Sequence, residues 1–380
     1  MTDTFPADSV GLVTPQVAHF DDPFTFVNGA VLQSHQLVYE TYGELNRAGD
    51  NAVLICHALS GSHHAAGFHS ADERRPGWWD LAIGPGKPID TARLFVVCSN
   101  NLGCCDGSSG PNTTNPSTGE AWGGQFPQPQ VQDWVRSQKR LAEHLGITKW
   151  AAVIGGSLGG MQALQWTIDF PDWVGHCVAL AAAPGLTAQN IAFNEIARHA
   201  ILSDPDWREG AYLSEGTLPA RGVALARMVG HLTYMSADGM SDRFGRELRE
   251  GGFSPDENAE WVFQVESYLR HQGSRFSTQF DANTYVLMTR ALDLFDLTGS
   301  QGGLAAVLSR VQAEFLVASF SSDGRFPPQR SIEIRDALMA AGKPVTYANI
   351  ETDNGHDGFL LPNPSYEQLL KEWMRRVGPS

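Results

Sequence analysis

Apolar positions in the first part of the chain come in runs of four to seven residues, the length of strands. Gln36–Tyr42 (QLVYETY), Ala52–Ile55 (AVLI) and Leu94–Cys98 (LFVVC) are rich in β-branched or aromatic residues and predict strands. From Asn100 to Pro129 the chain is dense in Gly, Ser, Asn, Thr and Pro, which predicts a long loop of the kind that compact domains keep for function. Val131–Leu145 has helical spacing and stops at Gly146. Trp150–Ile154 (WAAVI) predicts a buried strand, and Met161–Phe170 a helix ended by Pro171, with GGSLGG between them.

The pattern changes after Pro184. Helical spacing recurs in Ile191–Leu202, Ala224–Met235, Trp261–Gln272 and Thr284–Phe295, with no strand-like alternation among them. Strand and helix signals resume with Ala313–Phe320 (AEFLVASF), a helix over Ile332–Ala341, a strand at Val345–Ile350 and a last helix at Tyr366–Arg376. This ordering predicts an α/β catalytic domain from residues 1–185 and 297–380, interrupted by a helical cap at 186–296.

Composition narrows the class. With 42% hydrophobic and 18% charged residues among 380, the chain has the make-up of a globular protein large enough for a catalytic domain plus an insertion. A net charge of −15 excludes a general nucleic-acid binder, which needs a basic face. Cys56, Cys98, Cys104, Cys105 and Cys177 form no CxxC pair and fit neither a disulfide framework nor a zinc site. Reduced thiols, an N-terminus without an apolar signal region and no run long enough to span a bilayer predict a cytoplasmic protein with no membrane partner.

The chemistry centres on Gly155-Gly156-Ser157-Leu158-Gly159, a G-x-S-x-G between a predicted strand and a helix. On such a turn the serine is exposed at the sheet edge, and small neighbours let strand and helix approach, as in the α/β-hydrolase fold. A serine hydroxyl needs a base, and the base a carboxylate to orient it. In this fold they follow in the order serine, acid, histidine. Asp323 (SFSSDGRF) and His356 (DNGHDGF) each follow a predicted strand in that order. His63, His64 and His69 precede the serine and read as loop or pocket residues, while His231 falls in a helical pattern. The oxyanion donors are expected at the backbone amides of Leu158 and, in HALSG, Leu59.

The motifs ETYGELN (40–46), CHALSGSHHAAG (56–67), GSSGPNTTNP (107–116), GGSLGGMQALQW (155–166), RMVGHLTY (227–234), FDANTYVLMTRALD (280–293), SSDGRF (321–326) and GHDGFL (355–360) carry a resemblance. Across nearly its whole length the chain resembles the homoserine O-acyltransferases of methionine biosynthesis, of the α/β-hydrolase type. The resemblance implies an acyl group passing from a coenzyme A thioester to Ser157 and then to the homoserine hydroxyl, with Asp323 and His356 completing the triad. It also implies Arg227 and Asp357 as contacts for the carboxylate and ammonium of homoserine, a homodimer joined through the cap, and no metal or resident cofactor, the CoA thioester being a cosubstrate. Arg325, where acetyl-using members tend to be apolar, matches the free carboxylate of a succinyl group and points to succinyl-CoA. Acetyl-CoA as donor, serine as acceptor, plain ester hydrolysis and a binding protein without activity are the rival readings. Cys104-Cys105-Asp106 and Gly324 depart from the family's usual residues at those places.

Overall fold

The computed structural model describes residues 5–249, 263–299 and 302–378. Its main sheet has eight strands: β1 (Gln16–Phe20), β2 (His35–Tyr42), β3 (Ala52–Cys56), β4 (Phe95–Ser99), β5 (Trp150–Gly156), β6 (Val174–Leu180), β7 (Glu314–Phe320) and β8 (Val345–Ile350). They lie in the order β1-β2-β4-β3-β5-β6-β7-β8. β2 pairs antiparallel with β1 and β4, and every other pairing is parallel. Parallel neighbours need crossovers, which put helices on both faces and bury the strands from both sides. All five residues of β3 are buried, which is why it reads as an apolar run and not as an alternation.

The described helices of eight or more residues are α1 (Val131–His144), α2 (Leu158–Asp169), α3 (Ala188–Leu202), α4 (Ala220–Tyr234), α5 (Ala237–Phe244), α6 (Gln264–Ser277), α7 (Ala282–Leu294), α8 (Pro328–Ala340) and α9 (Pro364–Met374). Trp134, Trp150 and Trp166 pack in the core on one face of the sheet, and Trp79, Phe320 and Trp373 on the other. Helices α3 to α7 all fall between β6 and β7. The two ends of that segment meet where Gly185 bridges Asp296 and the Leu297 N–H donates to the Pro184 carbonyl at 2.8 Å. α4 packs between α3 and α6.

Two strands carry no clear sequence signal. β6 (VGHCVAL) lies between β5 and β7, yet Gly175 and His176 interrupt its apolar pattern and only Cys177–Leu180 is continuously buried. β1 is an edge strand with exposed polar positions. The helix expected over Met161–Phe170 begins three residues earlier, at Leu158, because Gly159 and Gly160 are helical despite their low propensity. The expected helix start at Trp261 lies outside the described residues, and the helix is described from Gln264.

Candidate active site

Ser157 sits between β5 and α2 with φ 56° and ψ −123°, a conformation that costs a non-glycine residue about 1–3 kcal/mol and persists only where the surroundings enforce it. Three features enforce it here. The Ser157 N–H donates to the Leu180 carbonyl of β6 at 2.9 Å. A Cβ on Gly155 would overlap the Gly159 backbone, and a Cβ on Gly159 would overlap the Cys56 carbonyl oxygen, so strand, turn and helix close together only with glycine at both places.

Asp323 lies three residues past the end of β7 and His356 six past β8, at the sheet edge that carries Ser157. His356 Nε2 is 2.7 Å from the Ser157 hydroxyl, and Nδ1 is 2.8 Å from Asp323 Oδ2. All three are buried, with 8%, 4% and 3% of Ser157, His356 and Asp323 exposed. Asp323 Oδ1 accepts the Arg325 and Phe326 N–H groups at 2.9 and 2.8 Å, so both carboxylate oxygens are engaged. A carboxylate only accepts, which fixes the proton on Nδ1 of His356 and leaves Nε2 to accept from the serine. Phe326 stands edge-on to the imidazole, with ring centroids 5.1 Å apart.

Leu158 is the first residue of α2, and Leu59 follows β3; both side chains are buried. The loop bearing Leu59 is held by residues that the sequence motifs do not single out. His57 Nε2 accepts the Asn101 N–H at 3.0 Å, and its Nδ1 is 2.8 Å from the Ala58 carbonyl. Gln162 of α2 donates to the His57 carbonyl at 3.1 Å and accepts from Gln138 of α1 at 2.8 Å. Complete burial pushes His57 down to about 4, so the ring is neutral at pH 7 and Nε2 can accept.

The remaining expected residues cluster on the side of His356 that faces the helical segment. Arg325 is 7% exposed and donates from its two terminal nitrogens to Thr233 Oγ1 of α4 and Asn194 Oδ1 of α3, both at 3.1 Å. Asn194 in turn donates to Asp293 of α7, which pairs with Arg198. Arg227 is half-buried, with its guanidinium 4.5 Å from the Phe276 ring and 5.8 Å from that of Tyr234. It lines a cavity of about 370 Å³ together with Ser60, Ser62, Asp106 and Arg275. Burial raises Asp357, against the opposing pull of His356 and Arg227. Tyr234 is the shared neighbour: its ring lies 5.6 Å from the Arg325 guanidinium and 6.1 Å from the His356 ring. It is the last residue of α4 and closes the RMVGHLTY motif, which by itself assigns it no role. His231 lies on the same helix, buried, with Nδ1 3.2 Å from the Tyr268 hydroxyl. A Cβ at Gly324 would meet nothing within 4 Å, so the space beside this residue is open.

Residues 51–361 match the family model described as alpha/beta hydrolase fold, and the chain belongs to that family. The homoserine O-succinyltransferase of Pseudomonas putida (strain GB-1) is 59% identical over 378 residues, 99% of this chain and 100% of the relative. That of Teredinibacter turnerae is 57% identical over 379 residues, 99% of each. Among solved structures, a homoserine O-acetyltransferase from Bacillus anthracis superposes with a TM-score of 0.89 at 30% identity, covering 97% of this chain and 99% of that one. Esterase E22 superposes with a TM-score of 0.87 at 30% identity, covering 96% and 100%. Full-length likeness at this level sets the chain among the homoserine O-acyltransferases of the α/β-hydrolase type.

Proposed function

We propose that the protein is a homoserine O-succinyltransferase of methionine biosynthesis, working through an acyl-serine on Ser157 with succinyl-CoA as cosubstrate and no resident cofactor. The observation that carries the donor assignment is the buried Arg325. A guanidinium 7% exposed, bonded to two neutral side-chain oxygens and with no ion pair among the described residues, leaves a cation beside the Tyr234 and His356 rings that a carboxylate on the acyl group would pair with. Relatives of 57–59% identity named for succinyl transfer support the same reading.

In the first half-reaction His356 Nε2 takes the Ser157 proton as the hydroxyl oxygen attacks the thioester carbonyl. The Leu59 and Leu158 amides hold the oxyanion, and CoA leaves as its thiol. Homoserine then enters with its carboxylate toward Arg227 and its ammonium toward Asp357. Its hydroxyl gives its proton to His356 and attacks the acyl carbonyl; the Ser157 oxygen leaves, takes that proton back from His356, and O-succinylhomoserine is released. The helical segment, acting as a cap, keeps water from competing for the acyl-enzyme. Exposed Ile196, Leu225 and Leu232 on α3 and α4 support a homodimer joined through that segment. The free thiols support a reducing, cytoplasmic setting, and no described helix is long and apolar enough to cross a membrane.

Thiol release by the purified protein with homoserine, compared between succinyl-CoA and acetyl-CoA, tests this reading. Fast release with succinyl-CoA alone, abolished in Ser157→Ala, is expected. Preference for acetyl-CoA would overturn the donor assignment, turnover with serine but not homoserine the acceptor, and undiminished turnover in Ser157→Ala the mechanism.

A further inference from the structure

Glu40 of β2 is fully buried, and three histidines from the loop after β3 converge on it. His69 Nε2 lies 2.6 Å and His63 Nε2 3.8 Å from Oε1, and His64 Nδ1 lies 3.0 Å from Oε2. The Glu40 oxygen and the His64 and His69 nitrogens all fall within 4.8 Å of one another. No step of the acyl transfer uses any of these side chains.

Hydrogen bonding alone leaves His63 unexplained. Its side chain is 9% exposed, its Nδ1 is buried with no partner among the described residues, and its Nε2 points at Glu40 from beyond hydrogen-bond range. A buried imidazole aimed at a buried carboxylate without bonding to it has the geometry of a ligand waiting for an ion. In tetrahedral zinc coordination, with ligand bonds of about 2.0–2.1 Å, neighbouring donors stand about 3.3 Å apart. The separations of 2.6 and 3.0 Å that set His69 and His64 against Glu40 lie near that value, and these three groups already share one centre; His63, 3.8 Å from Oε1 and outside that cluster, has to turn toward the centre to join them. Outer support is also present: the Tyr42 hydroxyl donates to Glu40 Oε2 at 2.7 Å and is itself fixed by the Ala65 and Ala66 N–H groups at 2.8 and 3.1 Å. Carboxylate ligands held in this way by neighbours are typical of built metal sites.

We propose that Glu40, His63, His64 and His69 form a binding site for a divalent transition metal ion of the zinc type. Three imidazoles and one carboxylate suit Zn²⁺, and favour it over Mg²⁺ or Ca²⁺, which take oxygen ligands. The ion clamps the loop that continues from the Leu59 turn onto β2, so its role is structural and lies outside the acyl-transfer chemistry. The site takes a chloride-salt Zn²⁺ titration into untagged, chelator-treated protein, followed by calorimetry, with Co²⁺ absorption reporting tetrahedral geometry. Saturable uptake of one ion per chain is expected, with a raised Tm in the presence of zinc. His69→Ala, at a partly exposed position, and His63→Ala are each expected to weaken binding at least about tenfold while circular dichroism shows an unchanged fold. No saturable uptake by the parent protein, or full affinity retained in either variant, would overturn the four-ligand site.

Discussion

Asp323→Asn isolates what the carboxylate does for the histidine. The substitution is isosteric, and an asparagine oxygen in the Oδ1 place can still accept the Arg325 and Phe326 N–H groups, so the loop keeps its anchors. The amide nitrogen then occupies the Oδ2 place, 2.8 Å from His356 Nδ1, and brings a donor to a donor. The imidazole escapes the clash by moving its proton to Nε2, which faces Ser157 at 2.7 Å and can no longer accept from it. A base held in the wrong tautomer costs a triad enzyme about 10⁴ in kcat, or about 5.4 kcal/mol of transition-state stabilisation at 1.36 kcal/mol per decade. Thiol release at saturating succinyl-CoA and homoserine is expected to fall by that order, with KM for either substrate changed little and the thermal transition within a few degrees of the parent. A loss below about tenfold in a folded variant would refute the orienting role of Asp323, because no other arrangement of the site supplies the tautomer.

Arg325→Leu removes the buried cation and is expected to lower turnover with succinyl-CoA while sparing acetyl-CoA; an unchanged donor ratio by the same thiol assay would count against a carboxylate-pairing role. Gly159→Ala places a methyl against the Cys56 carbonyl and is expected to destabilise by about 3 kcal/mol and to misplace Ser157, read as a Tm drop together with lost turnover. His35 is 4% exposed, both its ring nitrogens lack a partner among the described residues, and burial and Arg140 lower it to about 4. The unfolded chain takes up this proton near pH 6.5 and the folded chain only near 4, so stability is lost as pH falls through that window, about 2 kcal/mol by pH 5. In His35→Phe, whose new ring can stack on Phe20, the fall in Tm between pH 7 and pH 5 is expected to be smaller than in the parent; an equal fall would show that His35 titrates normally.

The strands flanked on both sides by helices were legible because complete burial leaves an unbroken apolar run, as in β3 and β7. β6 escaped because two of its seven residues, Gly175 and His176, are only partly buried and break the apolar run. At the site, Ser157, Asp323 and His356 follow a fixed order along the chain, so local motifs point to them, and the structure places them within hydrogen-bond reach. Asn194, Thr233 and Tyr234 had no role legible in the sequence, although the last two close the RMVGHLTY motif. They come from separate turns of α3 and the end of α4, and only the packing of those helices over β7 and β8 brings them to Arg325 and His356. The same holds for Glu40 and its histidines: each reads singly as a strand acid or a loop residue, and the cluster exists only once β2 and the loop are folded together.

The His356 loop is tied to the far end of α4. Gly355, with φ 64°, lies so close to Tyr234 that a side chain there would overlap the Tyr234 carbonyl, and the Ser236 hydroxyl donates to the Asp353 carbonyl. The end of the helix over the site and the loop that carries the base are thus one mechanical piece. A displacement of that end of α4 would shift His356 relative to Ser157, so the helix sets the position of the base as well as covering it.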